Sequence, residues 1–233
     1  MLELFPQGFE EIDGEGGGIE LVAYTEPSGE ERLWQAFGAV TASEIEAGWE
    51  DGWRRFHRPV RVGSLWVGPP WEEAPADAVA VVVDPGRAFG TGAHPTTRLC
   101  LELLEAERRT SVLDVGCGSG VLAIAAAKLG FAPVIAVDSA SEAVDATRRN
   151  AAANGVDIEV ARVNALEQEL PAAGVALANI ELAAVQQLAH RLDAQRLISS
   201  GYLAIDEPEL ATWTRVGRRE RDGWAADLFA RAD

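Results

Sequence analysis

The chain has 233 residues, 48% of them hydrophobic, with 37 acidic against 20 basic side chains and a formal charge of −17. That length allows one sizeable core with a smaller appendage, and no apolar run reaches the ~20 residues that span a bilayer. Two cysteines, Cys100 and Cys117, exclude a disulfide framework and a thiolate zinc cluster, while the acidity, offset by no Lys/Arg stripe, disfavours nucleic acid and favours a basic partner.

The opening Met1-Leu2-Glu3-Leu4-Phe5-Pro6 lacks the basic start and long apolar stretch of a signal peptide, so a cytoplasmic location is expected. Residues 1–57 are expected to form a small N-terminal domain. Ile19–Thr25 follows the Gly16-Gly17-Gly18 break and reads as a strand. Glu30–Phe37 and Glu44–Phe56 read as helices; in the second, Ile45, Trp49, Trp53 and Phe56 recur at helical spacing as a packing stripe. Pro59, Pro69, Pro70 and Pro75 then punctuate an extended stretch, and residues 58–78 read as a linker.

Residues 79–233 alternate β and α. Strand-like runs are Val79–Val83, Val112–Val115, Val134–Val137, Ile158–Val163, Val175–Ala178 and Leu197–Leu203; Pro95–Glu107, Val121–Leu129, Ser141–Asn154 and Leu182–Leu192 read as helices. The alternation predicts an α/β fold with a doubly wound, mostly parallel sheet. Ligands in such sheets sit at the carboxyl ends of the strands.

The motifs fall at those ends. Asp84 to Thr97 is glycine-rich: Phe89 can cover an apolar ligand surface, Thr97 can donate a hydroxyl, and Pro95 suits a first helical turn. His94, without a Ser or Cys partner, reads as a structural residue at the start of that helix. In Asp114-Val115-Gly116-Cys117-Gly118-Ser119-Gly120, an apolar strand ends in an acid and a glycine loop leads into a helix. The loop lets a ligand approach the backbone, and the helix N-terminus attracts an anion. Dinucleotide enzymes use G-x-G-x-x-G there. The spacing here is G-x-G-x-G with Asp114 two residues before it, so a carboxylate that would repel a pyrophosphate can face the ammonium of S-adenosylmethionine. Asp138 closes the next strand and can accept both ribose hydroxyls; as a bland alternative it caps a helix. Asn164 and Ala165 follow the third strand, where adenine would sit. Asn179 closes Val175-Ala176-Leu177-Ala178 and either orients an incoming amine, contacts the donor, or caps the following helix.

The run from Asp84 to Thr97, with Asp114 to Gly130, closely resembles the bacterial methyltransferases that act on large-subunit ribosomal protein L11. The resemblance extends over residues 79–180 and, more faintly, over 5–72. It implies a class I, Rossmann-like methyltransferase that uses S-adenosylmethionine to methylate lysine side chains or the N-terminal amine of L11. It implies donor contacts at Thr97, Gly116, Asp138 and Asn179, with Gly118 in the same loop, no metal, and no assigned acid–base residue. A monomer that binds neither nucleic acid nor membrane is expected. Set against the family, the N-terminal domain is expected to be shortened. Asp193-Ala194-Gln195-Arg196 replaces a Pro-Gly-Gly turn, and the helix after the fifth strand shrinks to about Asp206–Leu210, before a terminal hairpin (Trp213–Arg219, Trp224–Ala230). Three other readings stay open: methylation of another protein lysine or a small molecule, a nicotinamide-dependent oxidoreductase, and a non-catalytic donor-binding protein.

Overall fold

The computed structural model describes residues 10–13, 19–22, 33–38, 40–41, 58–84 and 92–232. The chain divides into two units, Met1–Asp51 and Gly52–Asp233. In the first, β1 (Glu10–Asp13) pairs antiparallel with β2 (Ile19–Val22), and residues 33–37 are helical. The described parts of the strand expected from Ile19 and of the helix expected to end at Phe37 are therefore extended and helical, and the rest of each lies outside the described residues. The helix expected over Glu44–Phe56 lies outside the described residues.

The second unit begins with a three-stranded sheet. β3 (Val60–Val62) pairs antiparallel with β4 (Leu65–Gly68), which pairs in parallel with β5 (Val79–Val82). Residues 58–78, read as linker, thus carry two strands, with Leu65, Trp66 and Val67 buried. The prolines that suggested a linker bracket these strands: Pro59 precedes β3 and Pro69 follows β4, positions where a missing N–H costs no ladder bond. β5 joins this small sheet and stands apart from the large one.

The remaining elements are α1 (Pro95–Ala106), β6 (Val112–Val115), α2 (Val121–Lys128), β7 (Val134–Asp138), α3 (Ser141–Asn154), β8 (Glu159–Arg162), β9 (Ala173–Asn179), α4 (Leu182–Ala189), β10 (Ala194–Leu203), β11 (Trp213–Arg221) and β12 (Trp224–Arg231). The strands form one seven-stranded sheet in the order β11-β12-β10-β9-β6-β7-β8. β10, β9, β6, β7 and β8 are parallel, and β12 and β11 add antiparallel as the expected hairpin.

Alternation along the central strands supplies a core on each face. Val112, Val175, Leu177 and Ile198 pack on one side with Leu99, Leu104 and Ile124 of α1 and α2. Leu113, Val115, Ala176, Ala178 and Leu197 pack on the other with Val185 and Leu188 of α4. Each fully buried leucine or isoleucine there contributes about 1.5–3 kcal/mol, which makes the sheet a rigid frame for its strand ends. Among the described residues no helix is long and apolar enough to cross a membrane.

One expectation is corrected near the C-terminus. Residues 206–210 are not helical. Pro208 lies within them and cannot donate in a helix interior, while Arg218 Nη2 takes the carbonyls of Ala204 and Asp206 at 2.6 and 3.0 Å. Basic charge is concentrated in β11, at Arg215, Arg218, Arg219 and Arg221. Most of it is neutralised locally: Arg215 and Arg218 pair with Glu207 and Asp227, and Arg221 pairs with Glu102.

Candidate active site

The chain runs from β6 out through β7 to β8, then returns to place β9 on the opposite side of β6. This reversal is a topological switch point at the carboxyl ends of β6 and β9, where parallel α/β sheets take their ligands. Gly116 follows β6, Asp138 ends β7 and Asn179 ends β9, so the sequence motifs converge on one edge.

The glycine loop is shaped by backbone that side chains resist. Gly116, Gly118 and Gly120 have φ of 73°, 55° and 83°, in the left-handed region that favours glycine. The N–H groups of Gly116 and Cys117 donate to Val137 O at 2.9 and 3.1 Å, and Gly120 N donates to Cys117 O at 2.7 Å. These bonds stitch the loop to the end of β7.

Asp138 is locked to that loop. Its Oδ2 accepts from Gly118 N and its Oδ1 from Ala140 N, both at 3.0 Å. A carboxylate offers about four acceptor positions, so each oxygen keeps one for a ligand hydroxyl. Asp138 is not the cap of α3, whose N-cap is Ala140 without a side-chain cap bond; it braces the turn before the helix and keeps acceptor positions open.

Asp114 departs from its expected role. Its side chain is buried, 1% exposed, and its Oδ2 accepts from Ala123 N in the first turn of α2 at 3.1 Å. It faces the helix N-terminus inside the protein, where partial positive charge attracts a carboxylate, instead of a ligand ammonium. Burial pushes its pKa up to about 7; the Ala123 bond opposes this, and the charge of Asp138 adds to it. Cys117 is likewise a protonated thiol, pushed up to about 12 by burial first and by Asp114 second.

Asn179 is not a helix cap. The cap of α4 is Glu181, which makes no side-chain cap bond, and Asn179 Nδ2 donates instead to Thr97 Oγ1 at 3.3 Å. Thr97 is buried at the start of α1, so two expected site residues from distant segments meet. His94 is structural, as expected: its Nδ1 accepts from Thr96 N as the cap of α1, and its ring packs edge-on against Trp224 at 4.8 Å. Asn164 turns to its own loop, its Oδ1 accepting from Leu166 N at 3.2 Å. Phe89 lies outside the described residues.

The sequence reading passed over α3, whose buried Thr147 and Asn150 reach the loop from behind. Thr147 Oγ1 donates to Gly118 O at 3.0 Å and Asn150 Nδ2 to Ser119 O at 2.8 Å. The available signal was polar residues at helical spacing among the alanines of Ser141–Asn154.

With Asp114 turned inward, the polar side chains the motifs leave at the strand ends are the carboxylate of Asp138, the amide of Asn179 and the hydroxyl of Thr97, with no basic group among them. Such a set suits ribose hydroxyls and a cationic ligand better than a pyrophosphate, which seeks positive charge. The donor set thus fits a sulfonium nucleoside.

Comparison with known proteins agrees with this chemistry. A protein-family model described as ribosomal protein L11 methyltransferase (PrmA) matches residues 23–214. A protein of that name from Symbiobacterium thermophilum is 42% identical over 201 residues, which cover 78% of this chain and 66% of the relative. One from Chromobacterium violaceum is 43% identical over 188 residues, covering 74% and 62%. Among solved structures, a ribosomal protein L11 methylase from Lactobacillus delbrueckii subsp. bulgaricus superposes with a TM-score of 0.67 at 30% identity, over 76% of this chain and 100% of that one. The chain spans just under two-thirds of the length of these two curated relatives.

Proposed function

The chain belongs to the ribosomal protein L11 methyltransferase family, and from that membership we propose that it transfers methyl groups from S-adenosylmethionine to amino groups of L11, on lysine side chains or the N-terminus. The observation that carries this reading is the carboxylate of Asp138, held at the end of β7 by Gly118 N and Ala140 N beside the switch point between β6 and β9.

When bound, S-adenosylmethionine supplies an electrophilic methyl group on a sulfonium. Asp138 accepts the ribose hydroxyls with its remaining lone pairs, and Gly116 and Gly118 let the ligand lie against the backbone. The Thr97–Asn179 pair marks the end of β9, where Asn179 and its neighbouring carbonyls aim the incoming amine. That amine must be neutral to attack, and a lysine begins with a pKa of about 10.4. Removing it from water disfavours the ammonium and lowers that value. Positioning two reactants at one site supplies much of the acceleration. Residues 1–57 are proposed as the substrate-recognition domain, and the net charge of −17 favours encounter with a basic ribosomal protein. A ribosomal substrate also places the reaction in the cytoplasm.

The test is a methyl-transfer assay with tritiated donor against purified ribosomal proteins, with mass spectrometry of the labelled product. Label on L11 amines supports the reading. Label on another protein, or donor binding without any transfer, overturns the substrate assignment.

A further inference from the structure

α3 presents a polar ladder to the back of the glycine loop. Thr147, Asn150 and Asn154 are buried on it at spacings of three and four, so they share one face. Asn154 accepts from Val82 N at 2.9 Å and donates to Val82 O at 2.6 Å, which anchors the last turn of the helix to β5. Asn150 accepts from Asp84 N at 3.2 Å while donating to Ser119 O. The helix is therefore fixed at one end, and its other rungs hold the loop.

Thr147 is the rung closest to the chemistry. It is fully buried, and its hydroxyl reaches the carbonyl of Gly118 at 3.0 Å, with Cys117 Sγ at 3.3 Å. The N–H of the same glycine donates to Asp138. Gly118 thus stands between the hydroxyl of Thr147 and the carboxylate assigned to the ribose. The methyl of Thr147 is used as well: a Cβ on Gly120 would stand 2.8 Å from Thr147 Cγ2, so the methyl packs against the bare glycine.

We infer that Thr147 is a positioning residue for the methyl donor: its hydroxyl fixes Gly118, and Gly118 orients the carboxylate of Asp138. The inference rests on the proposed donor site. The hydroxyl and methyl have separate tasks, and two variants separate them. Thr147→Val keeps the shape and removes the hydrogen bond. Thr147→Ser keeps the hydrogen bond and removes the methyl.

The experiment compares both variants with wild type by calorimetric titration with S-adenosylhomocysteine, donor KM and kcat, and melting temperature. Loss of one hydrogen bond to a buried carbonyl is expected to raise the Kd and donor KM of Thr147→Val about three- to tenfold, with kcat changed less. Thr147→Ser is expected to bind as wild type even where its melting temperature falls. Wild-type affinity in Thr147→Val, or a folded Thr147→Ser that binds poorly, overturns the inference while leaving the donor site standing. Should Thr147→Val not fold, Thr147→Ala compared with Thr147→Ser reads the same hydroxyl: weaker binding in the alanine variant alone supports the inference, and equal binding in the two overturns it. Failure of the wild-type chain to bind S-adenosylhomocysteine removes the donor site itself, and this inference with it.

Discussion

Asn179 and Thr97 meet across 82 residues of sequence, the amide nitrogen of one donating to the hydroxyl oxygen of the other at 3.3 Å. The bond joins the carboxyl end of β9 to the first turn of α1, so the two side chains should act as one unit. In a double-mutant cycle, Asn179→Ala and Thr97→Val should each weaken binding of S-adenosylhomocysteine. Their combined loss should fall short of the sum by about 0.5–1.5 kcal/mol. Strict additivity would show that the pair is not coupled.

Asp114 gives the fold a pH dependence whose sign follows from its burial. Its carboxyl is held up to about 7, chiefly by desolvation, against about 3.9 in an unfolded chain. Between those values the folded state holds the extra proton. The contribution to stability is therefore present at low pH and lost as pH rises from about 4 to 7, at up to about 1.4 kcal/mol per unit. Asp114→Asn keeps an acceptor for Ala123 N and removes the titration. Relative to wild type, the variant should gain stability across that range in urea unfolding series. Parallel pH profiles would contradict the assignment.

Gly201 constrains the site from below. Its φ is 102°, it sits at a bulge in the pairing of β10 with β12, and a Cβ there would stand 2.2 Å from the carbonyl oxygen of Ile180. That contact is with backbone directly after Asn179, so relief requires Ile180 to move. Gly201→Ala should cost about 1–3 kcal/mol of stability and should also weaken donor binding. Unchanged stability would show that this segment yields without cost.

The Arg218–Asp227 pair is the test of the C-terminal hairpin. Asp227 is fully buried and accepts from Tyr202 at 3.0 Å as well as pairing with Arg218 at 3.2 Å. Burial raises its pKa against the pull first of Arg218 and then of Arg215, which makes Arg218 the nearer of two arginines that keep a buried charge tolerable. Arg218→Leu should destabilise the fold by about 3–5 kcal/mol and free the 204–206 turn. A loss below about 1 kcal/mol, the range of surface pairs, would contradict this.

Contiguous features were legible in the sequence. The strand–acid–glycine run at Asp114–Gly120 and the acid at Asp138 carry their geometry in local spacing, because a strand, a tight turn and a helix must follow one another there. The mostly parallel sheet followed from the alternation, and the terminal hairpin was read where the chain departs from the family's pattern. What stayed hidden depends on contacts between distant segments. No spacing rule brings Thr97 to Asn179, and none shows that Asp114 turns inward to Ala123 N. Thr147 and Asn150 were passed over because nothing local in Ser141–Asn154 shows that this face of the helix meets Gly118 and Ser119. β3 and β4 were hidden by prolines that bracket them. The expected helix at 206–210 failed because Pro208 removes a donor and Arg218 takes the carbonyls of Ala204 and Asp206, fourteen and twelve residues away.

The most direct test of the account is a calorimetric titration of the wild-type chain and of Asp138→Ala with S-adenosylhomocysteine and, separately, with a nicotinamide dinucleotide. The account predicts one-to-one binding of S-adenosylhomocysteine by the wild type and none of the dinucleotide. Asp138→Ala loses two charge-assisted acceptors and should bind at least about a hundredfold more weakly. Equal affinity in the two chains, or dinucleotide binding in place of S-adenosylhomocysteine, would contradict it.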